Sequence, residues 1–193
     1  MAELDQILNA IPHDELSIQW ETVFEIMILE NHKMWTYHGD NAEAHIRTHL
    51  VELLDSVPED VECGFHFCYG DAGHKHFLEP ANTALMTKMA NWICSGGRRQ
   101  LDFLHIPVPR DRDDSSYFQP LTNLNIPDTC QLYLGLVHQT GAEEGTQRRI
   151  DTAMKTINRS FGVATECGLA RRPKESLVPI LEQHQRVAGS INE

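Results

Sequence analysis

The chain has 193 residues, of which 41% are hydrophobic and 23% charged, a composition typical of one globular domain. Its formal net charge of -12 argues against a nucleic-acid or anionic-membrane partner, because either would require a basic surface. No apolar run approaches the roughly 20 residues that a membrane-spanning helix needs, and the acidic residues 1–5 lack a signal-peptide pattern. We therefore expect a cytoplasmic protein whose five cysteines are free thiols or metal ligands.

Strands and helices are predicted to alternate along the chain. A helix is predicted over residues 3–10, and apolar runs bounded by turn residues predict strands at 16–20, 61–68, 101–106, 131–138 and 161–164. The helices that follow these strands are predicted near 23–28, 42–56, 81–94, 143–159 and 174–187. This alternation predicts an α/β fold of βα units around a parallel sheet, in a single domain over residues 1–193.

Polar side chains cluster where the predicted strands end. In chain order they are Gln19 and Glu21, His66 and Cys68, His105 and Arg110, His138, and Glu166 and Cys167. The carboxyl ends of parallel strands form the functional edge of α/β barrels and of doubly wound sheets. These residues are therefore candidates for a common site.

Residues 64–71, GFHFCYGD, contain the most informative motif. His66 and Cys68 lie two apart on a predicted strand, so their side chains point to the same face. An imidazole nitrogen and a thiolate make half of a common zinc site. Cys167 begins a second Cys-Gly pair after another short apolar strand. The alternative is that these are ordinary buried strand-end residues, as a single cysteine usually is.

Several motifs resemble the C-terminal part of the barrel shared by cobalamin-independent methionine synthase and uroporphyrinogen decarboxylase, and above all the shorter methionine-synthase-like proteins. The motifs are residues 11–21, HFCYGD at 66–71, HKHFLEP at 74–80, HIPVPRDR at 105–112, LGLVH at 134–138 and GVATECGL at 162–169. The resemblance covers nearly the whole chain but about half of the family's catalytic domain. It implies the last five or so βα units of a TIM-type barrel, a partial barrel.

The resemblance also implies roles for individual residues. In methionine synthase, the two motifs with cysteine supply three zinc ligands, which fall on His66, Cys68 and Cys167. The zinc lowers the pKa of the thiol of homocysteine, which then takes a methyl group from a folate. The acidic residue that helps hold the amino acid falls on Glu21, close to Gln19, and the family's proposed proton donor falls on His138. The implied activity is that of a zinc-dependent methyltransferase.

Two departures from the family pattern stand out. The family has a glutamate as fourth zinc ligand on the strand after the His-x-Cys strand, whereas here that strand ends at His105, so we expect His105 or water in that position. The second departure is the number of strands, since the barrel needs eight and five are predicted. We expect the open sheet to expose two edges and an apolar inner face, and a homo-oligomer or a partner chain to complete the barrel.

Alternatives stay open for the loops and for the function. Arg110 is predicted to clamp the carboxylate of a small-molecule substrate, a thiol or an amino acid, and the alternative is an exposed salt-bridged loop. His74 and His76 lie either on a loop over the site or on a solvated loop. Two alternatives to a zinc-dependent methyltransferase stay open. One is a degenerate paralogue that transfers no methyl group. The other is a decarboxylase or lyase of the same superfamily, and such an enzyme would need no zinc.

Overall fold

Five strands form one parallel sheet in which the strand order follows the chain, β1-β2-β3-β4-β5. The computed structural model describes residues 2–70, 75–139 and 141–191. The strands are β1 Ser17–Thr22, β2 Glu62–Phe67, β3 Phe103–Pro107, β4 Gln131–Val137 and β5 Gly162–Thr165. Strand order reverses in a doubly wound sheet, and no reversal occurs among these five. The predicted α/β fold with βα repeats is thereby confirmed, as the arc of a TIM-type barrel.

The helices connect and flank these strands. They are α1 Ala2–Ala10, α2 Val23–Leu29, α3 Ala42–Asp55, α4 Ala84–Gly96, α5 Ser115–Phe118, α6 Ala142–Thr156 and α7 Lys174–Ile191, with short 3-10 helices at His13–Glu15 and Gln119–Asn123. The sequence analysis did not predict α5 and the 3-10 turn after it, because such short elements show no periodicity. The side chain of Asp114 begins α5 by accepting a hydrogen bond from the Tyr117 amide. In the part of the chain that is described, no helix is both long and apolar enough to cross a membrane.

The two faces of the sheet differ in polarity. Residues paired across parallel strands share a face, and the row Trp20, Phe65, Leu104 and Leu132 faces the helices. The next row, Glu21, His66, His105, Tyr133 and Gly162, faces the side that would be the inside of a barrel. The expected apolar inner face was therefore wrong, because this row is polar and aromatic.

Aromatic rings cover glycines on the inner face. A Cβ added at Gly64 would lie 2.3 Å from ring carbons of Phe103, and one at Gly162 would lie 2.7 Å from the ring of Tyr133. Each ring therefore lies flat across the backbone of the neighbouring strand, a close approach that only glycine allows. These rings cover the inner face at Gly64 and at Gly162.

An irregularity in the last strand pair positions the functional edge. Leu134 pairs with Val163 but Val137 pairs with Thr165, so β4 contains one extra residue at this point. The backbone of Glu166 approaches Gly135 so closely that a Cβ there would lie 2.7 Å from the Glu166 Cα. Bulges of this kind re-aim side chains at the ends of strands, and here His138 and Glu166 lie side by side.

We expect Gly64→Ala to lower the free energy of unfolding by about 1–3 kcal/mol, because the ring of Phe103 must move to admit the methyl group. Urea denaturation would measure the loss. The matched control is Gly189→Ala on α7, where an added Cβ meets nothing within 4 Å and helix propensity favours alanine by up to about 1 kcal/mol. Equal stability of Gly64→Ala and the natural protein would contradict the placement of Phe103.

Candidate metal centre

The ends of β2 and β5 bring one histidine and two cysteines together. His66 lies on β2, Cys68 follows its last residue, and Cys167 lies two residues beyond β5. Their ligand atoms all lie within 4.8 Å of one another. His66 is 2% exposed and Cys68 is 4% exposed, whereas Cys167 is partly buried. The fold thus joins two motifs that are almost 100 residues apart in the chain.

The donor set and its spacing fit zinc. The sulfur atoms of Cys68 and Cys167 are 3.8 Å apart, and two Zn–S bonds of ~2.3 Å at the tetrahedral angle would separate them by about 3.8 Å. Neither ring nitrogen of His66 has a hydrogen-bond partner among the described residues, although both are buried. Buried polar atoms are nearly always paired, so an unpaired nitrogen beside two thiols is suited to a metal ion.

The pKa values of the two thiols shift in opposite directions. The hydrogen bond from the thiol of Cys68, and the proximity of His66, lower the pKa of Cys167 well below that of an ordinary thiol. The same hydrogen bond, together with burial, raises the pKa of Cys68. Cys167 is therefore the thiol of this pair that ionises more readily, and a thiolate is the form that binds a metal.

His105 lies next to His66 but outside this cluster. The two rings stack with centroids 4.3 Å apart and planes 24° apart, as their pairing across β2 and β3 dictates. Burial, and then the neighbouring His66, lower the pKa of His105 to about 3, so the ring is neutral. Its Nε2 is buried without a hydrogen-bond partner among the described residues. Its role as fourth ligand stays a prediction.

Glu21 and Gln19 lie on the edge strand β1, on the other side of His66. Glu21 is exposed and pairs with His66 across the strands. Gln19 Nε2 donates to Glu21 Oε1 at 3.4 Å. Partial desolvation first, and the negative charge at Cys167, raise the pKa of Glu21, while His66 and Gln19 lower it. Both side chains are within reach of a ligand on the inner face.

His138 is buried at the end of β4, with one nitrogen fixed by the backbone. Its Nε2 donates to the Val108 carbonyl at 2.7 Å, which leaves Nδ1 3.6 Å from Glu166 Oε2. Burial first, and then the positive charge of Arg149, lower the pKa of His138 to about 3. The ring is therefore neutral, and Nδ1 is the nitrogen available to a substrate.

The loop after β2 contributes a residue whose role the sequence left open. His76 Nε2 lies 2.9 Å from Glu166 Oε1, and its Nδ1 lies 2.9 Å from Glu79. Burial lowers the pKa of His76, but these two carboxylates outweigh it and raise the pKa overall. His76 therefore lies over the site, against Glu166, and not on a solvated loop. His74 lies outside the described residues.

A pair of buried tyrosines near this loop was missed by the sequence analysis. Tyr69 and Tyr117 are 2.7 Å apart at their hydroxyls, and Tyr117 donates to the carbonyl of Pro107 at 2.9 Å. These bonds link the segments that follow β2 and β3. Only the position of Tyr69, directly after Cys68, could have signalled a role.

Arg110 and Arg112 have different environments. Arg112 donates to Asp114 at 2.8 Å and lies over the ring of Tyr117, so the salt-bridged alternative holds for it. Arg110 is exposed, and its guanidinium has no ion pair among the described residues. Its backbone carbonyl accepts a hydrogen bond from Arg149 at 2.8 Å. Arg110 is thus the arginine free to meet an anionic ligand.

Comparison with known proteins supports the fold. No protein-family model matches the chain, and no curated protein matches it. One solved structure that it resembles is a B12-independent methionine synthase. That protein is from Shewanella sp. W3-18-1 and was determined in complex with selenomethionine. The TM-score is 0.60 at 14% sequence identity, over 98% of this chain and 52% of the other. The chain thus spans about half the length of that methionine synthase, and the likeness shows a common fold.

We expect Cys167 of the metal-free, reduced protein to be alkylated by iodoacetamide at pH 6 before the other cysteines. Its lowered pKa keeps it a thiolate there, whereas burial raises the pKa of Cys94, which is also partly buried, to about 11. Peptide mass spectrometry would give the rate at each cysteine. His66→Ala should slow the reaction of Cys167, and equal rates at Cys167 and Cys94 would contradict the assigned charge.

Proposed function

We propose that the protein is a zinc-binding, methionine-synthase-like protein that activates a thiol for methyl transfer. The convergence of His66, Cys68 and Cys167 within 4.8 Å supports this proposal most directly. The likeness to a methionine synthase fold is the second support. A cytoplasmic location, as expected from the sequence, belongs to the same proposal.

His66, Cys68 and Cys167 would hold the zinc, and either His105 or a water molecule would be the fourth ligand. When bound, zinc lowers the pKa of a coordinating substrate thiol, so that the thiol is a nucleophilic thiolate at neutral pH. His66 can supply either nitrogen, because neither is hydrogen-bonded within the described residues. The stacked ring of His105 restricts the rotation of His66 and so fixes the direction of its nitrogens.

His138 is the proposed group for proton transfer. Its single ring proton is held on Nε2 by the carbonyl of Val108. Nδ1, on the side of Glu166, therefore carries a lone pair and would accept a proton from a substrate.

The substrate would be a small thiol, such as a thiol-bearing amino acid. Arg110 would bind its carboxylate, since a guanidinium binds carboxylates in a planar, charge-assisted pair. Glu21, with Gln19 beside it, would bind its amino group from the opposite side of His66. These two contacts would orient the sulfur toward the cluster.

The edges β1 and β5 have no further strand partner among the described residues. We include in the proposal that a second copy or a partner chain covers the inner face. Such a partner would supply the contacts to the methyl donor that these five strands lack.

A metal-binding protein without methyl transfer is the second candidate. It is favoured by the cluster itself, which contains three ligating residues and no carboxylate from β3 in the described part of the chain. Zinc binding without transfer of a methyl group from a folate to homocysteine would support this candidate over the enzyme. A lyase or decarboxylase would have no use for the two thiols.

We expect the protein purified under reducing conditions to bind one zinc ion, and His66→Ala and Cys167→Ala to lose it. Each substitution removes one of three ligands, and the remaining two cannot hold the ion tightly. Elemental analysis after gel filtration would give the stoichiometry, with Cys94→Ala as the control that keeps its zinc. A natural protein that takes up no zinc would overturn the proposal.

We expect Arg110→Gln to weaken the binding of cysteine to the zinc-loaded protein roughly tenfold, because a charge-assisted hydrogen bond is lost. Cysteamine, which lacks the carboxylate, should bind equally well to both proteins. Calorimetry would measure both ligands. Arg112→Gln is the matched control, since that guanidinium is already paired with Asp114. A parallel loss of cysteamine binding would show that Arg110 does not act on the carboxylate.

A further inference from the structure

The three residues of the metal centre are not held in place by the same forces. His66 lies within β2, paired on both sides, and Cys68 follows the last residue of that strand. Cys167 lies on a bend two residues after β5, an edge strand of four residues. The ladder of the sheet therefore fixes two of the ligands, whereas the third depends on contacts of its turn.

Contacts with neighbouring segments hold the turn at Cys167, among them the hydrogen bond between its thiol and that of Cys68 at 3.8 Å. Thr165 Oγ1 donates to the Cys167 carbonyl at 2.9 Å, and the backbone of Glu166 packs on Gly135. The side chain of Glu166 is a further anchor, separate from the two thiols, since it points inward and is only 11% exposed. Its Oε1 lies 2.9 Å from Nε2 of His76, an ion pair rather than an aligned hydrogen bond.

His76 is in turn attached to the end of β2. The Phe77 amide donates to the Tyr69 carbonyl at 2.9 Å, one residue after Cys68. The ring of His76 meets that of Tyr69 edge to face at 5.5 Å, and its Nδ1 lies 2.9 Å from Glu79. His76 therefore spans from the segment that carries Cys68 to the turn that carries Cys167.

We propose that His76 is a positioning residue that braces the metal centre, holding the turn of Cys167 at the distance from Cys68 that a metal ion requires. This inference rests on the proposed zinc site and adds to it a residue that is not a ligand. Without His76, the buried carboxylate of Glu166 would lose its ion-pair partner at 2.9 Å, and the neutral ring of His138, 3.6 Å away, would not replace it. A buried carboxylate without a partner is unfavourable, so Glu166 would turn toward solvent and carry Cys167 with it.

The test compares His76→Ala with His13→Ala. His13 also forms a carboxylate pair at 2.9 Å, with Asp60, but it lies before β1 and Asp60 lies before β2, at the opposite end of the strands. Zinc affinity would be measured by competition with a chromophoric chelator, and folding by thermal unfolding of the metal-free proteins. We expect His76→Ala to bind zinc about 10–100-fold more weakly, the usual effect of removing a residue that supports a ligand, and His13→Ala to bind as the natural protein does.

A spectroscopic measurement separates positioning from general destabilisation. Cobalt in place of zinc gives a thiolate charge-transfer band that reports on the sulfur ligands. We expect this band to weaken in His76→Ala and to recover in part in His76→Gln, whose amide can donate a hydrogen bond to Glu166 in place of the ion pair. If His76→Ala does not fold, Glu166→Gln removes the same ion pair while keeping the size of the side chain, and the same loss of affinity is expected.

Unchanged zinc affinity and an unchanged cobalt band in folded His76→Ala, or in Glu166→Gln if His76→Ala does not fold, would overturn the inference while leaving the zinc site intact. Absence of zinc binding in the natural protein would instead overturn the proposed function, and this inference with it. An equal loss of affinity in His13→Ala would show that His76 contributes only general stability. That result would also overturn the proposed positioning role of His76.

Discussion

The parallel register of the five strands is the constraint on which the rest of the structure depends. Because paired residues share a face, fixing His66 on β2 also fixes Glu21 and His105 on either side of it. A shift of one residue in any pair would move these side chains under the helices. The apolar row at Phe65 and Leu104 prevents such a shift, since both side chains are fully buried against the helices. The hydrophobic packing of one face thus determines the polar arrangement of the other.

Charge is distributed around the candidate site in a way that the net charge of -12 does not suggest. The guanidinium of Arg149 is buried behind the site, and it donates to the carbonyls of Leu136 and Arg110 rather than to a carboxylate. Burial, and then the positive charge of Arg149, lower the pKa of His138 to about 3 and keep its ring neutral. At the other end of the site, the neighbouring Cys68 and His66 lower the pKa of Cys167 and so favour its thiolate form. A neutral imidazole and a thiolate are the states that metal binding and proton exchange require.

The inner face of the five described strands has an unusual composition for the inside of a sheet. The face that would be the inside of a barrel carries polar groups and two rings that lie across glycines, so it resembles a ligand-binding surface more than an uncovered core. The proposed partner would therefore cover a polar surface. The same openness leaves Glu21 and Arg110 accessible to a substrate.

The number of strands and their positions along the chain can be predicted from the sequence, because apolar runs and turn residues mark them directly. The pairing of His66 with Cys68 can also be predicted, because alternate residues of a strand share a face. Whether Cys167 meets them could not be read from spacing, since the chain between them folds through three βα units. Only the folded structure shows that Cys167 meets His66 and Cys68. It also shows that His105 stacks beside the cluster, that the inner face is polar, and that His76 lies against Glu166. These outcomes depend on strand register, on the extra residue in β4 and on loop packing. Such features arise from contacts between distant segments and leave no local pattern in the sequence.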